Sequence, residues 1–249
     1  MINLDRGRNS LEDYLKYRKR RSKEATKWLS DFISLQDKSV LDIGCGHGSN
    51  ASVLADLGAK VRAIDIDRER IETAKKYNSH INIRFSCTDL SSLAGQKFDV
   101  ITLFDVLEHV NSCEAIIDQA AALLEKDGIL YIEITPYYSI TGHHLYDYTF
   151  LPVQFFPLRW TKWLIKRRSK RGGIFSADDA LKQFIELNGI TCRNIRKLCY
   201  KNKLKAVFQR NEINIHGVLS VNTSFFRYLP FLEDLLSPAY ILLLKKNKF

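Results

Sequence analysis

Between Ser39 and Thr135 the chain alternates short apolar runs with amphipathic segments of helical length. "SVLDIG" reads as a buried strand, "NASVLADLG" as a helix stopped at Gly58, and "KVRAIDID" as the next strand. "RERIETAKKY" follows as a helix with Ile71 and Ala74 on one face. "INIRFSCTD" and "FDVITLF" read as strands three and four, "EAIIDQAAALLEKDG" as a helix closed by Gly128, and "GILYIEIT" as a fifth strand halted by Pro136. Strands joined through helices pair in parallel, and a parallel sheet must be covered on both faces. The expected class is therefore α/β.

The flanks are organised differently. From Leu11 to Leu35 helical periodicity places Leu11, Tyr14, Leu15, Trp28, Leu29 and Phe32 inward. After Pro136 the rhythm breaks into an aromatic, basic stretch that ends at Gly172-Gly173. Order resumes at "SADDALKQFIELNG", where Ser176 and Asp179 form a short-acid capping box and Asn188-Gly189 a stop. Two late strands are expected, near residues 191–200 and 240–244. A chain of 249 residues can bury its core in one domain. The expected parts are a helical extension (1–38), a central core (39–135), an insert (136–175) and a C-terminal completion of the sheet (176–249).

"LDIGCGHG" carries the most chemistry. The first strand delivers Asp42, and Gly44, Gly46 and Gly48 follow at alternate positions before a helix. Glycine permits a tight turn and lets a ligand approach the backbone. The loop lies at the carboxyl end of a strand, where open α/β sheets bind ligands. The spacing DxGxGxG differs from the dinucleotide GxGxxG. Strand two ends in Asp65, a bidentate acceptor suited to two ribose hydroxyls, and strand three is followed by Asp89.

With these three features the chain resembles the class I S-adenosylmethionine-dependent methyltransferases. The resemblance implies a Rossmann-like, seven-stranded, mostly parallel sheet with helices on both faces and the last strand antiparallel beside the fifth. It implies S-adenosylmethionine as cofactor. Gly44 and Gly46 would face its methionine part, Asp65 its ribose, and Asp89 with Leu90 its adenine. Asp42, Ile66 and Phe104 complete the implied cofactor-binding set. His47 reads as a spacer and Cys45 as packing.

"LFDVLEHV" ends strand four with Asp105, Glu108 and His109. One helical turn would bring two carboxylates and an imidazole to one face. Three readings stand: a site for Mg²⁺ or another divalent ion, a general base for a hydroxyl, or a polar brace for the loop. The stretch is similar to the ubiquinone-biosynthesis O-methyltransferases, and to small-RNA terminal 2′-O-methyltransferases that use a later histidine. Here that histidine would be His143 or His144. Asp105 stands where those groups usually carry the longer Glu. The implied reaction is O-methylation of a small-molecule, glycan or lipid-linked hydroxyl, with RNA 2′-O-methylation or a non-catalytic cofactor-binding scaffold as alternatives.

The net charge is +10, concentrated in "YRKRRSK", "KWLIKRRSKR" and "LKKNK". Such runs fit a polyanionic partner or a solvated surface. In the insert, Phe155, Phe156, Leu158, Trp160, Trp163, Leu164 and Ile165 interleave with Arg159, Lys162, Lys166, Arg167, Arg168, Lys170 and Arg171. Residues 155–171 fit an anionic membrane surface, a lid over the acceptor, or nucleic acid. No apolar run reaches the roughly 20 residues of a membrane span, and no secretory signal is evident. Five cysteines with no CxxC pair suit a reducing compartment. The expected location is the cytoplasm, with peripheral contact at the inner membrane face.

Overall fold

The computed structural model describes residues 10–140, 144–145, 148–149, 151–169, 176–215, 219–222, 228–237 and 239–246. The chain begins with α1 (Leu11–Ser30), capped by Ser10, whose side chain accepts from the Asp13 amide. It continues through β1 (Ser39–Ile43), α2 (Ser49–Asp56), β2 (Lys60–Asp65), α3 (Arg68–Tyr77) and β3 (Ile83–Cys87). β4 (Phe98–Phe104), α4 (Cys113–Leu123) and β5 (Leu124–Ile134) complete the first half of the sheet. α5 (Leu158–Arg167), α6 (Ala177–Glu186) and α7 (Cys192–Lys201) then lead to β6 (Leu204–Ile215), β7 (Leu219–Asn222), α8 (Pro230–Leu235) and β8 (Tyr240–Lys246).

The strand order is β3-β2-β1-β4-β5-β8-β6-β7. β1 to β5 are parallel, and β8 inserts antiparallel between β5 and β6. The first seven strands in this order are the expected sheet, and β7 adds a hairpin strand at its edge. The order reverses between β1 and β4, so the crevice for a ligand opens beyond their carboxyl ends.

Period-two alternation sends side chains to two cores. Leu41, Ile43, Ile101, Leu103, Leu130 and Ile132 face α4 and α7, where Ile117, Ile195 and Cys199 meet them. Val40, Val61, Ala63, Val100, Ile129 and Tyr131 face α1, α2 and α3, where Leu29, Leu54 and Ile71 meet them. A third cluster joins α5 and α6 through Leu145, Tyr148, Val153, Ile165, Leu181 and Phe184. Of the positions expected inward, Leu15 and Leu29 of α1 are buried, whereas Leu11 at its start and Phe32 beyond its end are exposed, which corrects that expectation.

Two further expectations are corrected. Residues 191–200 form a helix, not a strand. Thr191 caps it by accepting from the Asn194 amide, and Cys192, Ile195 and Cys199 form one buried face at helical spacing. The strand begins only at Leu204. The helix after strand four ends at Leu123 rather than Gly128, because Leu124 already pairs with Phe98. Gly128 instead lies under β4, where a Cβ would sit 2.9 Å from the Asp99 carbonyl.

Candidate cofactor and acceptor site

The glycine loop turns on left-handed backbone. Gly44 has φ +65°, and a Cβ there would meet Val106 Cγ2 at 2.7 Å, so the loop packs directly against the turn after β4. Gly46 has φ +53° and faces open space, leaving its backbone accessible to a ligand. Its amide donates to Asp65 Oδ2 at 2.8 Å, and the Asp67 amide donates to Oδ1 at 2.9 Å. Asp65 is thus oriented at the end of β2, beside Ile66, which is 80% exposed. Asp89 caps a one-turn 3₁₀ helix, Leu90–Leu93, and hydrogen bonds from Ser91 and Ser92 hold its pKa below the usual range. Leu90 and Phe104 are buried, Phe104 against Tyr131 at 4.6 Å between ring centroids. Asp42 is buried and accepts from Thr102 Oγ1 at 2.8 Å, while its Oδ2 has no hydrogen-bond partner. Burial raises its pKa to about 7, against the hydrogen bond from Thr102.

α1 closes over this edge with residues that sequence reasoning assigned to a surface patch. Arg18 donates to Asp105 Oδ2 at 3.0 Å, and Arg21 lies 3.5 Å from the same oxygen. Arg21 also donates to Glu133 Oε1 at 2.9 Å, and Glu133 Oε2 accepts from the Tyr131 hydroxyl at 2.8 Å. Lys19 donates to Ser52 at 2.9 Å, Ser22 donates to Asn50, and Tyr14 meets His47 edge-on at 5.7 Å. Burial works to raise the Asp105 pKa, but Arg21 and Arg18 overrule it and hold it at about 2. Burial and the Asp105 charge push Glu133 up. The only local signal for Arg18 and Arg21 is their helical spacing toward the same side as the small residues Ser22 and Thr26, both buried.

After Asp105, which has φ +52°, a single 3₁₀ turn spans Leu107–His109. Glu108 is 2% exposed, and neither carboxylate oxygen has a hydrogen-bond partner. Burial, then the neighbouring Asp105 charge, drives its pKa well above the usual range, against the weaker pull of the Glu108 and Thr135 backbone amides, which lie outside good hydrogen-bond geometry. His109 keeps an exposed edge, and partial desolvation lowers its pKa. Its ring meets that of His144 at 5.2 Å and 75°. Glu108, His109 and His144 each offer one ligand atom, and these atoms all lie within 4.8 Å of one another. Asp105 is not in this group. It faces the two arginines. His143 lies outside the described residues.

α5 presents Leu158, Trp160 and Trp163 to solvent, the tryptophans 58% and 60% exposed, while Thr161 and Ile165 are buried. Arg167 sits over the Trp163 ring at 5.4 Å. Beside it, Tyr138, Phe155 and Phe231 form an exposed aromatic group. Lys170 and Arg171 lie outside the described residues. No helix among the described residues is long and apolar enough to cross a membrane.

A methyltransferase-domain family model matches residues 14–191. Over 109 residues the chain is 37% identical to the ubiquinone biosynthesis O-methyltransferase of Coxiella burnetii (strain Dugway 5J108-111), covering 42% of this chain and 47% of that one. Over 104 residues it is 38% identical to the protein of the same description from Glaesserella parasuis serovar 5 (strain SH0165), covering 38% and 44%. The chain thus spans about half the length of the curated relatives it matches. Magnesium protoporphyrin IX methyltransferase from Synechocystis PCC 6803, solved with bound S-adenosylmethionine, superposes with a TM-score of 0.58 at 17% identity, covering 99% of this chain and 85% of that one. A S-adenosylmethionine-dependent methyltransferase from Archaeoglobus fulgidus gives 0.57 at 14% identity, covering 92% and 94%. The family match spans the glycine loop, Asp65, Asp89 and the turn after β4, and the chain belongs to the class I S-adenosylmethionine-dependent methyltransferases.

Proposed function

We propose that this chain transfers the methyl group of S-adenosylmethionine to a hydroxyl oxygen of a small-molecule, glycan or lipid-linked acceptor. The observation that carries this reading is Glu108. Its buried carboxylate has no hydrogen-bond partner, and it lies beside His109 and His144 at the end of β4. A buried carboxyl so weakly partnered, beside two imidazoles, is suited to exchanging a proton with a bound hydroxyl. The two ubiquinone O-methyltransferases among the relatives support oxygen as the acceptor atom.

In the proposed step the acceptor oxygen attacks the methyl carbon in line with the sulfonium. The S–C bond breaks, its electron pair stays on sulfur, and the hydroxyl proton passes to the neutral imidazole of His109, or to Glu108 once the bound sulfonium has drawn it to its carboxylate form. Asp65 presents two oxygens for the ribose hydroxyls, Gly46 an open backbone for the methionine part, and Ile66 and Asp89 a face and an edge for adenine.

The cluster of Glu108, His109 and His144 supports a second reading. One carboxylate and two imidazoles suit an imidazole-binding divalent ion better than Mg²⁺, which prefers oxygen ligands. Such an ion, when bound, would lower the acceptor hydroxyl's pKa. The face of α5 further supports peripheral contact with the anionic cytoplasmic face of a membrane, as a lipid-linked acceptor would require.

A labelled-cofactor screen over catechols, prenylated phenols, lipid-linked sugars and short RNAs, with chelator or added divalent ions, tests all of this. Glu108→Gln and His109→Ala should each lose about 10²-fold or more in turnover while cofactor affinity changes by less than about twofold. Wild-type turnover in both variants overturns the reading, and transfer confined to RNA replaces the acceptor class.

A further inference from the structure

The turn that presents Glu108 and His109 is a single 3₁₀ turn, a marginal element with few internal bonds. Its only internal backbone bond outside regular structure runs from the His109 amide to the Val106 carbonyl, at 3.0 Å. The carbonyls of Leu107, Glu108 and Val110 all accept from one residue, and Leu107 O takes the Cys113 thiol as well, at 3.1 Å. Asn188 donates through Nδ2 to Leu107 O at 2.6 Å and to Val110 O at 2.8 Å. Its backbone amide donates to Glu108 O at 3.1 Å. Its Oδ1 accepts from the Ile190 amide at 3.1 Å, which fixes which way the amide group faces.

Asn188 also stands at a junction. On one side Leu187 packs on the cluster that joins α5 to α6. On the other, Ile190 belongs to the main core, and its carbonyl accepts from Tyr137 at 2.9 Å, just after β5. Glu186, the last residue of α6, is close enough to act on the His109 charge. A shift of α6 is therefore passed through one residue to three points on the turn, to Leu107 and Val110 by its side chain and to Glu108 by its backbone amide.

We infer that Asn188 is the positioning residue of the Glu108–His109 turn, and that it couples the α5–α6 cover to the orientation of those two side chains. The inference rests on the reading of Glu108 and His109 given above. The hydrogen bonds of Asn188 go to the backbone of the turn, the Cys113 thiol and Ile190, so it acts through the turn. Asparagine is required because it supplies two N–H donors and one acceptor from one planar group. Asn188→Asp keeps the shape and the acceptor but removes both donors.

Hydrogen exchange on the full chain tests this. In Asn188→Ala and Asn188→Asp, exchange across residues 103–113 should rise about tenfold or more, while residues 39–48 and the cofactor affinity stay within about twofold of wild type. With an acceptor accepted in the screen, kcat should fall and KM for S-adenosylmethionine stay put. Phe184→Ala, in the buried face of α6, should raise exchange across 103–113 in wild type but add nothing in Asn188→Ala. Unchanged exchange across 103–113, or an equal rise throughout the sheet, overturns the positioning role. Additive effects of Phe184→Ala and Asn188→Ala overturn the coupling. Exchange reports on Asn188 alone and Glu108→Gln turnover reports on the catalytic reading alone, so either can fail without the other.

Discussion

Glu108→Gln should make the protein more stable as it makes it inactive. In the wild type, burial and Asp105 raise the Glu108 pKa above its unfolded value. Between those two values the folded chain holds a proton that the unfolded chain has released. Stability then falls as pH rises, at up to about 1.4 kcal/mol per pH unit. Glutamine keeps the shape and cannot titrate, so the variant escapes that loss. The difference, variant minus wild type, should therefore grow with pH above about 4.3, the ordinary unfolded value for glutamate.

From about pH 5 to about pH 7 the ceiling is about 2.7 kcal/mol, and relaxation of the neighbouring carboxyls brings the expected gain to about 1–2 kcal/mol. For a chain of this length that is a Tm increase of roughly 2–8 °C. Asp42, Asp105 and Glu133 titrate in both proteins and cancel to first order. Urea unfolding followed by tryptophan fluorescence, in chelator at several pH values, reads the difference directly. Parallel stability curves, or a variant less stable near neutral pH, would show that Glu108 is ionised and well paired in the folded chain, and its reading as a buried carboxyl with a raised pKa would fail.

Arg18→Met should destabilise by about 1–3 kcal/mol in chemical denaturation, below the roughly 3–5 kcal/mol of a fully buried pair, because the pair is partly exposed and Arg21 remains. The Asp105 contribution is present above its unfolded pKa and disappears as pH falls toward about 2, so the wild-type advantage should vanish in acid. Gly44→Ala should cost about 1–3 kcal/mol and weaken cofactor binding by calorimetry, since left-handed backbone and the 2.7 Å approach to Val106 both oppose a Cβ. The double substitution Trp160→Ala/Trp163→Ala should reduce co-sedimentation with anionic vesicles about tenfold without changing turnover of a water-soluble acceptor, and equal sedimentation would remove the membrane contact.

The backbone geometry of the glycine loop and the places of Asp65 and Asp89 in the fold were legible because their signals are local. Glycine at Gly44 and Gly46 marks left-handed backbone, and Asp65 and Asp89 follow strands whose periodicity is short and clear. Arg18 and Asn188 were not legible as site residues, because their partners lie 87 and 81 positions away. A run such as "YRKRRSK" looks the same in sequence whether its charges meet water or buried carboxylates. Only the packing of α1 on α2 separates Arg18 and Arg21 from Arg20, whose guanidinium sits over Tyr17. The helix at Cys192–Lys201 was misread for a related reason. Its cysteines, isoleucine and tyrosine are at home in strands, and the burial of Cys192, Ile195 and Cys199 is what shows the helical period.

The charges at this edge also explain why α1 belongs to the site. Asp42, Asp105, Glu108 and Glu133 lie at or just beyond the carboxyl ends of β1, β4 and β5, at the crevice. Four such carboxyls cannot all ionise in a buried space. Asp105 is held ionised by two arginines, while Asp42, Glu108 and Glu133 are pushed toward the protonated form. Without Arg18 and Arg21 the Asp105 charge would be costly too, and the turn that follows it would lose its anchor. On the proposed reading this division of labour suits the chemistry. The bound cationic sulfonium draws Glu108 toward its carboxylate form, and as that charge leaves sulfur the carboxylate becomes a competent proton acceptor. The positive charge lost from sulfur reappears as the proton taken from the acceptor hydroxyl. Glu108 can keep that charge in the chamber, so net charge there need not change as the methyl group moves.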